Sequence, residues 1–162
     1  MITGDELYCC LGTTIKKAGS KENFRKVDYD MPLQMAKAAF KNGIKSYLLV
    51  SSVGANAESS NFYLRTKGEV EHAVKEVGFE KLIILQPSFL LGKRNEFRLG
   101  EKIGKIIFRF FELFLFGKLK KYQAVQAENV AKTMIYLANA KYEKTVYQSD
   151  EINFICERVI KS

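Results

Sequence analysis

The amino-acid sequence predicts an α/β fold in which a parallel sheet is covered by helices on both faces. Two observations carry that reading. Short apolar runs alternate with segments whose apolar residues recur at helical spacing. Breaker residues such as Asn42-Gly43 and Pro87 fall at the joints between them. Strands alternating with helices are joined by crossovers, and crossovers put helices on both faces of a sheet.

The elements follow in order. Leu7-Tyr-Cys-Cys-Leu11 reads as a short buried strand running into Gly12-Thr-Thr14, and residues 15–30, being polar, read as loop. From Met31 to Lys41, Leu33, Met35, Ala36, Ala39 and Phe40 recur at roughly helical spacing, and Asn42-Gly43 closes that helix. Ser46-Tyr-Leu-Leu-Val50 is the next strand, reaching Ser51-Ser52-Val53-Gly54. Ser59 or Ser60 is the expected cap of a helix that ends near Gly78. Lys81-Leu-Ile-Ile-Leu85 is a third strand, stopped by Pro87. A helix from Arg98 to Phe116 ends at Gly117, and a short extended piece over Tyr122–Gln126 precedes a helix from Glu128 to Ala140. Thr145-Val-Tyr-Gln148 is the last strand, and Ser149-Asp150 starts a closing helix.

At 162 residues the chain is read as a single domain, 1–162, with residues 93–125 as a small substrate or interaction subregion. Hydrophobic residues at 47% and charged residues at 27% are ordinary for a globular protein, which argues against disorder. The longest apolar runs fall far short of the roughly 20 residues that span a bilayer. Met1-Ile-Thr-Gly-Asp-Glu6 has neither the basic nor the apolar region of a signal peptide, so the cytoplasm is the expected compartment. Neighbouring Cys9 and Cys10 have neither disulfide nor metal-ligand spacing, and Cys156 stands alone. Reduced thiols and no metal are expected. Of the net charge of +8, five units lie between Arg98 and Lys121, where seven basic residues face Glu101 and Glu112. No zinc-finger, helix-turn-helix or RNA-binding signature accompanies them, so no specific nucleic-acid partner is expected.

Tyr63-Leu-Arg-Thr-Lys67 carries the chemistry. Residues four apart on a helix lie about 40° apart around its axis, so the phenol and the ammonium project from one side. A lysine so placed acidifies a phenol electrostatically and makes it a proton donor or acceptor near neutral pH. Ser52, at the end of the preceding strand, can hold a substrate carbonyl or hydroxyl. Val70, Val74 and Val77 fall within about 40° of Tyr63, so the face that packs on the sheet also carries the pair.

A family resemblance rests on these residues and their surroundings. Tyr8-Cys-Cys-Leu-Gly-Thr-Thr14, Val27-Asp28, Val50-Ser-Ser-Val-Gly-Ala55, Ser59-Ser-Asn-Phe-Tyr63, Lys67-Gly-Glu69 and Gln86-Pro-Ser-Phe-Leu-Leu-Gly92 together resemble the atypical short-chain dehydrogenase/reductases. Within that group they are most similar to the oxidoreductases related to the HIV Tat-interacting tumour-suppressor protein. The resemblance runs from about residue 5 to at least residue 140. It implies a Rossmann-like, doubly wound parallel sheet and hydride transfer between NADP or NAD and a small carbonyl or alcohol. By that resemblance Tyr63 is the proton donor/acceptor, Ser52 orients the substrate, and Lys67 binds the nicotinamide ribose and acidifies Tyr63. Leu11, Gly12 and Thr13 would touch the cofactor, with Pro87 and Ser88 beside its nicotinamide end.

Two departures accompany the resemblance. Gln86 stands where the group commonly has Arg, so a charge contact is expected to be lost there. The eleven glycines form no G-x-G-x-x-G or G-x-x-G-x-x-G. In the group's 3-2-1-4-5-6-7 strand order the chain would begin just before strand 4, without the first strands and the dinucleotide-binding glycine turn. A partial chain that binds NADPH weakly or not at all is the expectation. Homodimerisation across an otherwise open Leu7–Cys10 edge is the alternative.

Ile103, Ile106, Ile107, Phe110, Phe111 and Phe114 follow an amphipathic pattern amid Lys105, Arg109 and Glu112. Two readings stand: a membrane-surface or partner-binding helix, or a helix packed on the core. A non-catalytic interaction protein acting through residues 98–121 is accordingly the alternative to an oxidoreductase. His72 points about 180° from Tyr63 and is expected at the surface. Asp28 is read as a loop or capping residue, and Glu69 and Glu71 as members of a solvated helix face.

Overall fold

The computed structural model describes residues 2–92, 117–141 and 144–160. The helix expected over 98–116, and with it most of the 93–125 subregion, lies outside the described residues.

The main sheet is built from β1 (Glu6–Cys9), β2 (Ser46–Val50), β3 (Lys81–Gln86) and β6 (Val146–Gln148). These run in the order β1-β2-β3-β6, and every pairing is parallel. Leu48 stands opposite Tyr8 on one side and Ile83 on the other. A second, two-stranded parallel sheet pairs β4 (Leu90–Leu91) with β5 (Val125–Gln126).

Strand alternation divides the core in two. Leu48, Ile83 and Leu85 point to one face, where Val130, Met134 and Leu137 of a helix over Ala127–Asn139 cover them with Ile152. Tyr47, Leu49, Leu82 and Ile84 point to the other, under Ala36, Val70 and Val74. Side chains of period two thus serve two helical layers, which is why the middles of β2 and β3 are apolar on both faces. Tyr47 is fully buried, donates its hydroxyl to Pro32 O at 3.0 Å and stacks on Phe79.

Between β1 and β2 the structure departs from the expected loop. Residues 15–30 form α1 (Ile15–Ala18), α2 (Lys21–Arg25) and a π-helical turn over Lys26–Asp30 that runs directly into α3 (Met31–Lys41). Hydroxyl caps start the first two: Thr14 accepts from Lys17 N, and Ser20 accepts from Asn23 N. Gly19, at φ 79°, ends α1, and Phe24, fully buried, ties α2 to the body. Gly43, at φ 82°, follows α3 as expected.

The remaining helices are α4 (Phe62–Lys75), α5 (Ala127–Asn139) and α6 (Ser149–Phe154), the last continued by a π-helical stretch over Ile155–Ile160. A short 3₁₀ helix over Gly117–Tyr122 precedes β5. The cap of α4 is Asn61 rather than Ser59 or Ser60, because its carboxamide oxygen accepts from both Tyr63 N and Leu64 N.

Lys81, the first residue of β3, caps the far end of α5. Its Nζ donates to Leu137 O at 3.1 Å and to Ala138 O and Ala140 O at 2.7 Å. These carbonyls carry the negative end of the helix dipole and have no partner further along α5. Lys81→Met keeps the aliphatic stem and removes the donor. We expect a loss of about 1–2 kcal/mol, read as a Tm lowered by roughly 3–6 °C. An unchanged Tm would show that water satisfies these carbonyls equally well.

Candidate functional site

The sheet's carboxyl ends gather the polar side chains. Leu11-Gly12-Thr13 follow β1, Ser51-Ser52 follow β2, and Pro87-Ser88 follow β3. Gly12, Thr13, Ser52, Pro87 and Ser88 therefore lie beside one edge of the sheet, where open α/β sheets form their binding crevices.

On α4, Tyr63 lies in the first turn and Lys67 one turn further on. Tyr63 is partly exposed, and its ring packs against that of Phe24, with centroids 5.7 Å apart and planes at 45°. Lys67 is buried, with Nζ 2.7 Å from Asp28 Oδ1 and side chains only 7% and 0% exposed. The other carboxylate oxygen of Asp28 accepts from Thr13 N at 2.9 Å. The Lys67–Asp28 contact is a close ion pair without hydrogen-bond alignment, so Oδ1 lacks an aligned donor. A β-carbon on Gly12 would lie 3.5 Å from Asp28 Oδ1 and 3.7 Å from Lys67 Nζ, so the glycine borders the pair.

Gly12, Thr13 and Lys67 are thus brought together, and Asp28 joins them. This revises the capping or loop role expected of Asp28. The π-helical turn that carries it lies inside a segment read as loop, and its partner Thr13 stands across α1 and α2. No local period reveals such a pairing. π-turns recur at functional sites because one extra residue per turn re-aims a side chain. Leu11 packs instead on the core beside Cys9 and Ala36.

The two serines after β2 diverge. Ser51 is buried and donates its hydroxyl to Glu71 Oε1. Ser52 is partly exposed, its hydroxyl not used in this contact. Val53 N donates to Pro87 O at 3.1 Å, so the turns after β2 and β3 are held side by side. Ser88 is anchored elsewhere: its N–H donates to Ser149 Oγ at 2.9 Å, and its hydroxyl donates to Tyr122 O at 3.0 Å and also to Gln123 O. His72 is exposed, as expected.

Glu71 is not on a solvated face. It is 6% exposed and receives, besides Ser51, both hydrogen bonds of the Gln86 amide nitrogen, at 2.9 and 3.0 Å. Gln86 Oε1 in turn accepts from Gln148 Nε2 at 3.2 Å. At Gln86 a neutral amide therefore occupies the contact where a cation was expected to be missing. Burial pushes the Glu71 carboxyl above its ordinary range, while the donors from Ser51 and Gln86 and the nearby charges of Lys75 and Lys67 pull it back. Glu69 is partly buried and paired with Arg25. Lys67 and Glu71 are four apart on one helix, a spacing that could have suggested a shared inner flank.

The HIM1 family model matches residues 5–120. The FMP52 mitochondrial protein of Candida albicans is 43% identical over 139 residues, covering 85% of this chain and 59% of that protein. Rat HTATIP2 is 45% identical over 101 residues, 62% of this chain and 41% of that protein. The chain therefore spans about three-fifths or less of the length of these relatives. Among solved structures, the human epimerase family protein SDR39U1 with NADPH superposes with a TM-score of 0.62 at 16% identity, over 90% of this chain and 56% of that one. The resemblance to the atypical short-chain dehydrogenase/reductases and the Rossmann-like α/β fold are both borne out. The cytoplasmic expectation is overturned. FMP52 relatives from Candida albicans, Debaryomyces hansenii and Emericella nidulans are all named mitochondrial, which points to that compartment instead. The physical reason is that secretory-signal features bear only on the secretory route, and a folded domain's composition does not encode an organelle address.

Proposed function

The chain belongs to the HIM1 family, and we propose that it carries the proton-handling half of an NAD(P)-dependent oxidoreductase acting on a small carbonyl or alcohol. The observation that carries this reading is the buried Lys67–Asp28 pair beside Gly12, one helical turn from a partly exposed Tyr63. In this reading Tyr63 gives or takes the proton at the substrate oxygen. Ser52 orients that oxygen from the end of β2. Lys67 is held by Asp28 at the rim of the cofactor site and donates toward the nicotinamide ribose.

The residues present fit a nicotinamide nucleotide. Asp28 Oδ1 is a buried acceptor without an aligned donor, which suits a ribose hydroxyl, and the absence of a side chain at Gly12 leaves room beside it. Lys67 supplies donors next to that acceptor. Thr13 would border the same part of the cofactor, while Pro87 and Ser88 would lie toward its nicotinamide end. When bound, the nucleotide supplies or accepts the hydride. The chain's own residues bind, orient and move the proton. The alternative of an interaction protein working through residues 98–121 falls mostly outside the described residues, and no observation here favours it.

Tyr63→Phe tests the proposal, because it removes the hydroxyl and keeps the ring against Phe24. Oxidation of NADPH is followed with a panel of small aldehydes and ketones. General acid–base catalysis is worth roughly 10²–10⁴ in rate, so turnover should fall at least about 100-fold with Tm unchanged. Turnover that survives the substitution would remove Tyr63 from the mechanism.

A further inference from the structure

The Tyr63/Lys67 chemistry uses neither Ser51, Glu71, Gln86 nor Gln148, yet these four form one continuous polar chain across the sheet. Glu71 hangs from α4, Ser51 follows β2, Gln86 ends β3 and Gln148 ends β6. Ser51 and Gln86 donate to Glu71, and Gln148 donates to Gln86. Gln148 N is itself held by Glu151 Oε2 at 3.0 Å. A single carboxyl therefore ties three neighbouring strand ends to the helix that bears Tyr63 and Lys67.

We propose that Glu71 is a positioning residue for the turn that carries Ser52, and that its grip on that turn depends on the charge of its carboxyl. Ser52 follows Ser51 directly, so whatever fixes the Ser51 hydroxyl fixes the point from which Ser52 departs. The turn's backbone is held by Ser51 N to Leu85 O at 2.7 Å and Val53 N to Pro87 O at 3.1 Å.

The groups facing the carboxyl can be named element by element. From β2, β3 and β6 come Ser51, Gln86 and Gln148, all neutral. Along α4, Lys67 and Lys75 act through their charges. Behind Lys67 stands Asp28, which offsets the lysine's charge. Glu71 thus has neutral donors at hydrogen-bond distance and no cation in contact among the described residues, so burial of its charge is only partly compensated.

The sign follows from linkage. The buried carboxyl titrates above its ordinary range, and opening the turn admits water and returns it toward that range. The closed turn is therefore fully favoured below the ordinary carboxylate range and is progressively loosened as pH rises through the raised value. The reverse device, a carboxylate lowered by a salt bridge, would tighten as pH rises, and would do so below the ordinary carboxylate range.

This role rests on the reading of Ser52 as the substrate-orienting serine, but its test does not depend on turnover. Amide exchange of Ser51 and Val53 is followed by NMR on the full chain across pH, and each rate is corrected for intrinsic base catalysis. The Ile84 amide, bonded to Thr145 O, reports opening elsewhere in the sheet. Protection at Ser51 and Val53 should fall as pH rises through the Glu71 titration, by up to about tenfold per pH unit for a single proton, and more than at Ile84. In Glu71→Gln, which keeps the shape and cannot ionise, it should be flat. A Glu71→Gln chain that retains the slope overturns the proposal, and so does a flat wild type. Should Glu71→Gln fail to fold, Ser51→Ala removes the hydroxyl through which the carboxyl holds the turn, so the slope at Val53 should flatten. A slope that persists at Val53 overturns the proposal. Loss of turnover in Tyr63→Phe and loss of the exchange slope in Glu71→Gln report independently, so either reading can fail alone.

Discussion

Among the described glycines, Gly68→Ala should be the most damaging substitution. A β-carbon at Gly68 would lie 2.2 Å from Ala57 N and from Asn56 C, and 2.6 Å from Asn56 Cα. These are backbone atoms of the turn between β2 and α4, so no rotamer change relieves the contact. The helix or the turn must move, and both belong to the candidate site. Alanine's better helix propensity returns only about 1 kcal/mol, whereas overpacking of a rigid contact costs about 1–3 kcal/mol and more where nothing yields. We expect about 3 kcal/mol of destabilisation and a Tm lowered by roughly 10 °C. Gly12→Ala is the contrast, since its methyl would meet only ordinary contacts at 3.5 and 3.7 Å. A Gly68→Ala chain that melts within about 2 °C of the wild type would mean that the turn does not lie on α4 this closely.

The Lys67–Asp28 pair should show the largest coupling. Both side chains are nearly or fully buried. Asp28→Asn leaves an ammonium without a counter-ion, and Lys67→Met leaves a carboxylate with only Thr13 N as donor. Removing one member of a buried pair costs about 3–5 kcal/mol, because the remaining charge stays desolvated. The double variant Asp28→Asn/Lys67→Met buries no charge and should lie much closer to the wild type than the sum of the singles. Denaturant unfolding of the four proteins measures this, and the expected coupling exceeds about 2 kcal/mol. Additive losses would mean that the two groups do not depend on each other. The cycle also bears on function. In the proposed reading, a lysine so balanced by Asp28 would serve more as a fixed donor at the site's rim than as a bare positive charge beside Tyr63.

Much of the scaffold was legible in the chain. β2 over Ser46–Val50 and α3 over Met31–Lys41 match their expected limits, and β3 extends only from Leu85 to Gln86. These segments are set by local patterning: continuous apolar runs in doubly covered strands, and helical spacing closed by Asn42-Gly43. The Tyr63/Lys67 spacing on α4 was legible for the same reason. Residues 15–30 were not. Their helices are too short to show a period, and they rest on the Thr14 and Ser20 caps and on the buried side chains of Phe24 and Asp28.

Sequence by itself determined the layered α/β plan, the family resemblance and the placing of Ser52, Tyr63 and Lys67 at one end of the sheet. Periodicity and motif are properties of neighbouring residues, and these features need nothing more. Only the tertiary structure decided which acids lie inside. Asp28 and Glu71 read as surface or capping residues along the chain, yet one meets Lys67 and the other gathers Ser51 and Gln86. A charge becomes tolerable in the interior only through partners that folding brings from other elements, and those partners are not written into its own stretch of sequence.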